Sequence, residues 1–173
     1  MKEGVIIVNA GGEFIGTMDK MAAHRSGMLH RAFSVFIFNS KGQLLLQQRA
    51  LDKYHSGGLW TNTCCSHPKL GEVTFDAANR RLQEEMGMAC KLTELFQFSY
   101  HHQFENGLIE NEFDHVFMGI SDELPLPNST EVANFKYIDT DQLMFELIEQ
   151  PDLYTPWFKI CLEQVLETYY QII

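Results

Sequence analysis

The apolar run Val5, Ile6, Ile7, Val8 reads as a strand over 5–9, closed by Gly11-Gly12, and a second short extended run follows over 14–18. Residues 32–39 form an apolar run that ends in Asn39-Ser40-Lys41-Gly42, and 43–49 follow it, so the turn chemistry predicts a hairpin. Ala78, Leu82 and Met86 recur at four-residue spacing over 75–86 before Gly87, which predicts a helix with one buried face. Residues 92–104 and 108–120 flank Glu105-Asn106-Gly107, a second hairpin signal. A short strand is expected at 135–138. Asp139 or Thr140 then caps a helix through 147, and Pro156 opens another to about residue 170. Strands outnumber helices, so the pattern predicts an α+β fold in which helices pack outside a mixed sheet. No repeat, low-complexity tract or linker interrupts the 173 residues, and one domain over 1–173 is expected.

Charge narrows the partners. A formal net charge of −10 opposes a nucleic-acid surface, because phosphate backbones repel an acidic protein. An anionic substrate therefore needs a local basic cluster. No apolar run approaches the ~18 residues of a membrane span, and the start Met1-Lys2-Glu3-Gly4 lacks the apolar stretch of a signal peptide. A cytoplasmic protein with no membrane partner is the expectation. Cys64, Cys65, Cys90 and Cys161 have no disulfide-scaffold spacing, and the adjacent pair cannot readily bridge itself. They read as free thiols, one of which can be reactive.

Polar chemistry concentrates in Leu59-Trp-Thr-Asn-Thr-Cys-Cys-Ser-His-Pro68. In an extended chain alternate residues share a face, so Cys65 and His67 point one way while Cys64 and Ser66 point the other. By the same alternation Glu110, Glu112 and Asp114 form one row of carboxylates, which needs a countercharge if buried. A metal ion is the economical solution. His24, His30, His67, Glu110 and Glu112 can supply three imidazoles and two carboxylates to a borderline divalent ion such as zinc or manganese, although the set exceeds zinc's usual four ligands. The competing reading is a solvated strand face with unrelated histidines. His55, His101, His102 and His115 are assigned to that ordinary class.

A second constellation runs Ser66-x5-Glu72-x7-Arg80-Arg-Leu-Gln-Glu-Glu-Met-Gly-Met88. It resembles the Nudix box: Gly, five residues, Glu, seven residues, then Arg-Glu-U-x-Glu-Glu-x-Gly-U, with U a bulky aliphatic. Glu72, Arg80, Leu82, Glu84, Glu85, Gly87 and Met88 fit, whereas Ser66 replaces the opening glycine and Arg81 the first helical glutamate. Exchanging that carboxylate for a guanidinium weakens a hydrolytic metal cluster and adds a donor for phosphate oxygens. The resemblance implies a Nudix-like mixed β-sheet core with flanking helices, an α/β/α arrangement that binds a diphosphate without cleaving it.

Together with Ala23-His24, Leu29-His30-Arg31-Ala32-Phe33, Gln48-Arg49-Ala50, Gly58 to Pro68, Glu110-Asn111-Glu112 and Pro156-Trp157, the chain resembles the type I isopentenyl-diphosphate isomerases. That resemblance implies proton transfer to an unactivated alkene through a tertiary carbocation, with Cys65 and Glu112 as the acid/base pair. Which of the two protonates stays open. It further implies that Tyr100 hydrogen-bonds Glu112 and that Trp157 lies over the cation. Lys20, Arg49, Lys53 and Arg81 would contact the diphosphate, although Arg81 can equally pair with Glu85 at i+4. Glu85 would hold a magnesium ion arriving with that diphosphate. A second divalent ion (manganese, zinc or magnesium) would sit at the histidine site, and Cys64, Cys90 and Cys161 would serve packing. The expected partner is a small diphosphate, with the protein a monomer or weak homodimer. The alternative is a Nudix-type hydrolase of a nucleoside diphosphate derivative, which would want glutamate at 81 and would not need Cys65.

Overall fold

The computed structural model describes residues 3–173; Met1 and Lys2, on which part of the leader reading rests, lie outside them. The chain runs β1 (Gly4–Val8), β2 (Phe14–Asp19), α1 (Lys20–Ser26), β3 (His30–Phe38), β4 (Leu44–Arg49), β5 (Trp60–Thr61), β6 (Cys64–Ser66) and α2 (Thr74–Met86). It continues with β7 (Thr93–Gln103), β8 (Ile109–Ile120), β9 (Val132–Ile138), α3 (Thr140–Glu149), a 3-10 turn (Pro151–Leu153) and α4 (Pro156–Ile172).

β3 is the organising strand. It pairs in parallel with β8 along its whole length, from His30 opposite Glu112 to Phe38 opposite Ile120, and antiparallel with β1, β4 and β6. Its continuous apolar character follows from burial on both faces. Phe33, Val35 and Ile37 join Leu45, Cys64 and Phe117 against Ala78, Leu82 and Met86 of α2. Phe36 and Phe38 join Leu44, Leu46, Val116 and Met118 against Phe158, Leu162, Val165 and Tyr169 of α4. The mixed sheet is thus sandwiched between helices.

Two local features depart from the sequence reading. Helix α1 was not expected, because seven residues with Ala23 and His24 as the buried pair are too few to show a period. Its caps carry the signal instead: Asp19 accepts from the Ala22 N–H at 3.0 Å, and Gly27 closes the helix at φ 67°.

The β3–β4 hairpin forms only at its tip, where Ile37 faces Leu45 and Phe38 faces Leu44. Beyond that the strands splay and residues 60–66 fill the wedge, β5 on β4 and β6 on β3. Asn62 Nδ2 donates to Val35 O (3.2 Å) and Cys64 O (2.8 Å), while Thr63 Oγ1 donates to Leu45 O (2.6 Å) and accepts from Ile37 N (2.9 Å). These buried side chains replace ladder bonds that the splayed backbones lack, which would otherwise be left unsatisfied. The polar run at 59–68 is therefore two short strands that change partner, and its Asn62-Thr63 portion is structural.

Among the described residues no helix is long and apolar enough to cross a membrane.

Candidate active site

A cleft of about 490 Å³ gathers side chains from α1, β4, β6, α2, β7, β8, α4 and the loop after β4. At its base, α1 contributes His24, the first residue of β3 is His30, His67 follows β6, and β8 carries Glu110 and Glu112. One ligand atom from each of these five residues lies within 4.8 Å of the others. His67 Nε2 is 2.8 Å from Glu112 Oε1, His30 Nε2 is 3.5 Å from that oxygen, and His24 Nε2 is 3.3 Å from Glu110 Oε1.

The ring orientations suit a metal ion. His24 Nδ1 meets Lys20 O at 2.7 Å and His30 Nδ1 meets Met28 O at 2.8 Å, contacts in which the nitrogen is the donor. Each Nε2 then carries the lone pair, and both Nε2 atoms are buried without a hydrogen-bond partner, as is Glu110 Oε2. Three imidazoles and two carboxylates, with His24 Nε2, His30 Nε2 and Glu110 Oε2 buried and unpartnered among them, fit a divalent ion. Burial pushes the Glu112 carboxyl up, but the imidazoles of His30 and His67 prevail and hold it well below the usual carboxylate range. Burial lowers His24, yet the adjacent Glu110 carboxylate outweighs it and its value is raised. Asp114, the third member of the expected row, lies outside the cluster. Ser34 Oγ donates to it at 2.7 Å, and burial, reinforced by the charge of Glu112, pushes its carboxyl well up.

Cys65 and His67 both line the cleft, whereas Cys64 is fully buried in the core beneath α2. Burial pushes the Cys65 thiol up to about 12 against the opposing charge of Arg49, so it stays protonated at neutral pH. Tyr100 stands opposite Glu112 in the β7–β8 pairing and donates its hydroxyl to Glu112 Oε2 at 2.5 Å. Trp157 closes the α4 side, 4% exposed, with its indole N–H buried and unpartnered. The Arg49 guanidinium lies 5.2 Å from the centre of its ring.

Lys20, Arg49, Lys53 and Arg81 also line this cleft, but the expected basic cluster is a mixed one. Lys20 pairs with Glu3 at 3.2 Å and Lys53 with Glu131. Arg81 contacts Glu85 at 2.6 Å, Glu84 at 2.8 Å and Glu131 at 3.4 Å. Any bound diphosphate must therefore compete with carboxylates for Lys20, Lys53 and Arg81.

Residues 28–158 match the NUDIX domain model. Isopentenyl-diphosphate Delta-isomerase 1 of Aromatoleum aromaticum is 51% identical over 166 residues, spanning 96% of this chain and 94% of the relative. Isopentenyl-diphosphate Delta-isomerase of Pectobacterium atrosepticum is 48% identical over 161 residues, spanning 93% and 90%. The chain belongs to the isopentenyl-diphosphate Delta-isomerase family.

Solved structures of low identity share the fold of this isomerase-family chain. A crystal structure from Deinococcus radiodurans superposes with a TM-score of 0.72 at 21% identity, covering 86% of this chain and 90% of that one. A MutT NUDIX hydrolase from Burkholderia pseudomallei gives 0.64 at 22% identity, covering 80% and 98%. Several Nudix-box positions in the isomerase-family chain are structural. Arg80 grips Glu72 with two bonds of 2.7 and 2.8 Å and reaches Glu84 at 3.1 Å, tying α2 to the loop before it.

The sequence reading missed His55 and Glu131, both of which line the cleft. His55 Nε2 lies 2.5 Å from Glu110 Oε1, and burial lowers its value despite that neighbour. Both residues sit in or beside loops without periodicity. Their available signal was weak: His55 follows Lys53 by two residues, and Glu131 lies just before β9. His101 and His102 lie on β7 and are not among the five, although His102 stands opposite Glu110 in the strand pairing, and His115 pairs with Glu94 at 2.8 Å.

Proposed function

We infer that the chain isomerises isopentenyl diphosphate to dimethylallyl diphosphate by a protonation/deprotonation 1,3-allylic rearrangement. The observation that carries this reading is the convergence of the Cys65 thiol, the Tyr100-bound Glu112 carboxylate and the Trp157 indole on one cleft.

The substrate alkene is unactivated. A proton must reach its terminal carbon, leaving a tertiary cation, and a second proton must leave the methylene two carbons away. Cys65 and Glu112 are the two groups that exchange these protons, and each gives a proton in one direction of the reversible reaction and takes one in the other. Tyr100 holds the Glu112 carboxylate in place and bears a proton beside it. Trp157 presents a π-face to the transient cation, worth ~1–2 kcal/mol when water is excluded.

Lys20, Arg49, Lys53 and Arg81 bind the diphosphate, displacing Glu3 and Glu131 as their partners. Glu85, held by Gln47 at 2.8 Å, would carry magnesium arriving with the substrate. His24, His30, His67, Glu110 and Glu112 would hold one divalent ion (manganese, zinc or magnesium), whose charge supplies Lewis-acid and electrostatic assistance to neighbouring groups. The hydrolase alternative is disfavoured because Arg81 stands where that chemistry wants glutamate. Incubating purified protein with isopentenyl diphosphate tests the reading. Dimethylallyl diphosphate is the expected product, and released phosphate with no isomer would overturn it.

A further inference from the structure

The loop between β4 and β5 is built tightly around one inward-pointing ring. His55 is 6% exposed, stacked on Phe104 at 4.4 Å between ring centres and edge-on to Tyr54 at 4.5 Å. Its backbone oxygen accepts from Arg49 Nη2 at 3.3 Å. The next residue, Ser56, has φ 51° and is the one non-glycine residue with positive φ among the described residues. That conformation is costly for a side-chain-bearing residue and persists only where surrounding structure enforces it. At Gly57 a Cβ would meet the Leu51 carbonyl oxygen at 2.5 Å, so the loop is wound too closely for any other residue there.

This winding brings His55 Nε2 to 2.5 Å from Glu110 Oε1. His55 Nε2 and Glu110 Oε1 are in direct contact, while Glu110 Oε2 is buried without a partner. A bare imidazole nitrogen and a carboxylate oxygen would repel at this distance, so a proton lies between them. Ser56 Oγ lies 3.3 Å from His55 Nδ1, where a hydroxyl donor leaves the imidazole proton on Nε2. His55 also lies outside the five-atom group gathered by His24, His30, His67, Glu110 and Glu112.

We propose that His55 is a positioning residue of the metal centre, giving its Nε2 proton to Glu110 Oε1 so that Oε2 is presented to the divalent ion. The inference rests on the metal reading of the five-residue cluster. Through the same loop, His55 links that cluster to Arg49 and so to the diphosphate end of the cleft.

Two substitutions separate a hydrogen-bonding role from packing. His55→Phe keeps an aromatic ring for Phe104 and removes the donor, while His55→Gln keeps a nitrogen donor at similar reach. Affinity for Mn²⁺ or Zn²⁺ is measured by chelator competition on protein whose folding is checked by thermal melting without metal. His55→Phe should weaken binding by about 10–100-fold, the usual effect of losing an outer partner of a ligand, and His55→Gln should recover most of it. The Co²⁺-loaded variants should keep the absorption bands of the parent protein. Affinity of His55→Phe within about twofold of the parent would overturn the proposal, as would equal loss in His55→Gln. A changed cobalt spectrum would overturn it in another way, by making His55 a ligand itself. A parent protein that binds no divalent ion would defeat the metal reading as a whole, a result distinct from all of these.

Discussion

Tyr100 and Glu112 face each other across neighbouring strands, and the Tyr100 hydroxyl donates to Glu112 Oε2 at 2.5 Å while Oε1 meets His67 at 2.8 Å. The two oxygens of one carboxylate thus serve different neighbours, a phenol on one side and an imidazole group on the other. Tyr100→Phe should lower kcat on the order of 10- to 100-fold, with KM changed by less than about threefold. Metal content by elemental analysis should not change. Loss of the bound ion in this variant would instead assign Tyr100 to the metal centre.

The adjacent cysteines should separate cleanly. Cys65 lines the cleft, and Cys65→Ser should reduce turnover on the order of 10²-fold or more, because a hydroxyl is a poorly matched acid/base group. Cys64 is fully buried against Leu82, Met86 and their neighbours. Cys64→Ser should leave turnover per folded molecule nearly intact and cost about 1–3 kcal/mol of stability for a buried hydroxyl. Kinetics and denaturant titration on both variants check this, and equal loss of turnover would refute the facing relationship.

Alternation along a strand was enough to read that relationship, because a period of two survives in even the three residues of β6. It also placed Glu110, Glu112 and Asp114 on one face. It could not say where along β8 that face stops being a site, and Asp114 proves to be a buried partner of Ser34. Histidines 24, 30 and 67 come from a helix, a strand and a loop end, and three separate tertiary relationships bring them to the two glutamates: α1 on β8, β3 beside β8, and β6 beside β3. His55 was read as ordinary, since its position depends on a positive φ at Ser56 and on close winding at Gly57. Such features arise from loop closure, which leaves no periodic trace. The basic residues were legible as a set, but their carboxylate partner Glu131 is separated from Lys53 and Arg81 by long stretches of chain.

Metal affinity should fall in acid. An imidazole must shed its proton before it can ligate, and Glu110 holds the His24 value above the ordinary 6.5 against the opposing effect of burial. In metal-free protein this raised value stabilises the fold below the ordinary imidazole range and ceases to do so as pH rises through it. The increase in Tm on adding a divalent ion should therefore be larger at about pH 8 than at about pH 6. Paired melts with metal and with chelator check this, and a larger metal effect in acid would contradict it.

Arg81 bridges Glu84, Glu85 and Glu131 at the mouth of the cleft. If its task is to bind diphosphate oxygens, Arg81→Ala should raise KM more than it lowers kcat, the signature of lost uniform binding. A collapse in kcat at unchanged KM would place Arg81 in the transition state instead. Arg81→Glu should not yield a useful hydrolase, because an attacking water would still lack a positioning group.

Proton exchange with solvent reports directly on the acid/base roles of Cys65 and Glu112. If Cys65 and Glu112 carry protons to and from the substrate, at least one of them equilibrates with water between turnovers. In deuterium oxide the dimethylallyl diphosphate formed should carry solvent deuterium in the methyl derived from the terminal alkene carbon. Glu112→Gln should abolish that label. Mass spectra showing dimethylallyl diphosphate formed without deuterium would contradict the account, because an internal hydrogen shift would leave Cys65 and Glu112 with no acid/base role.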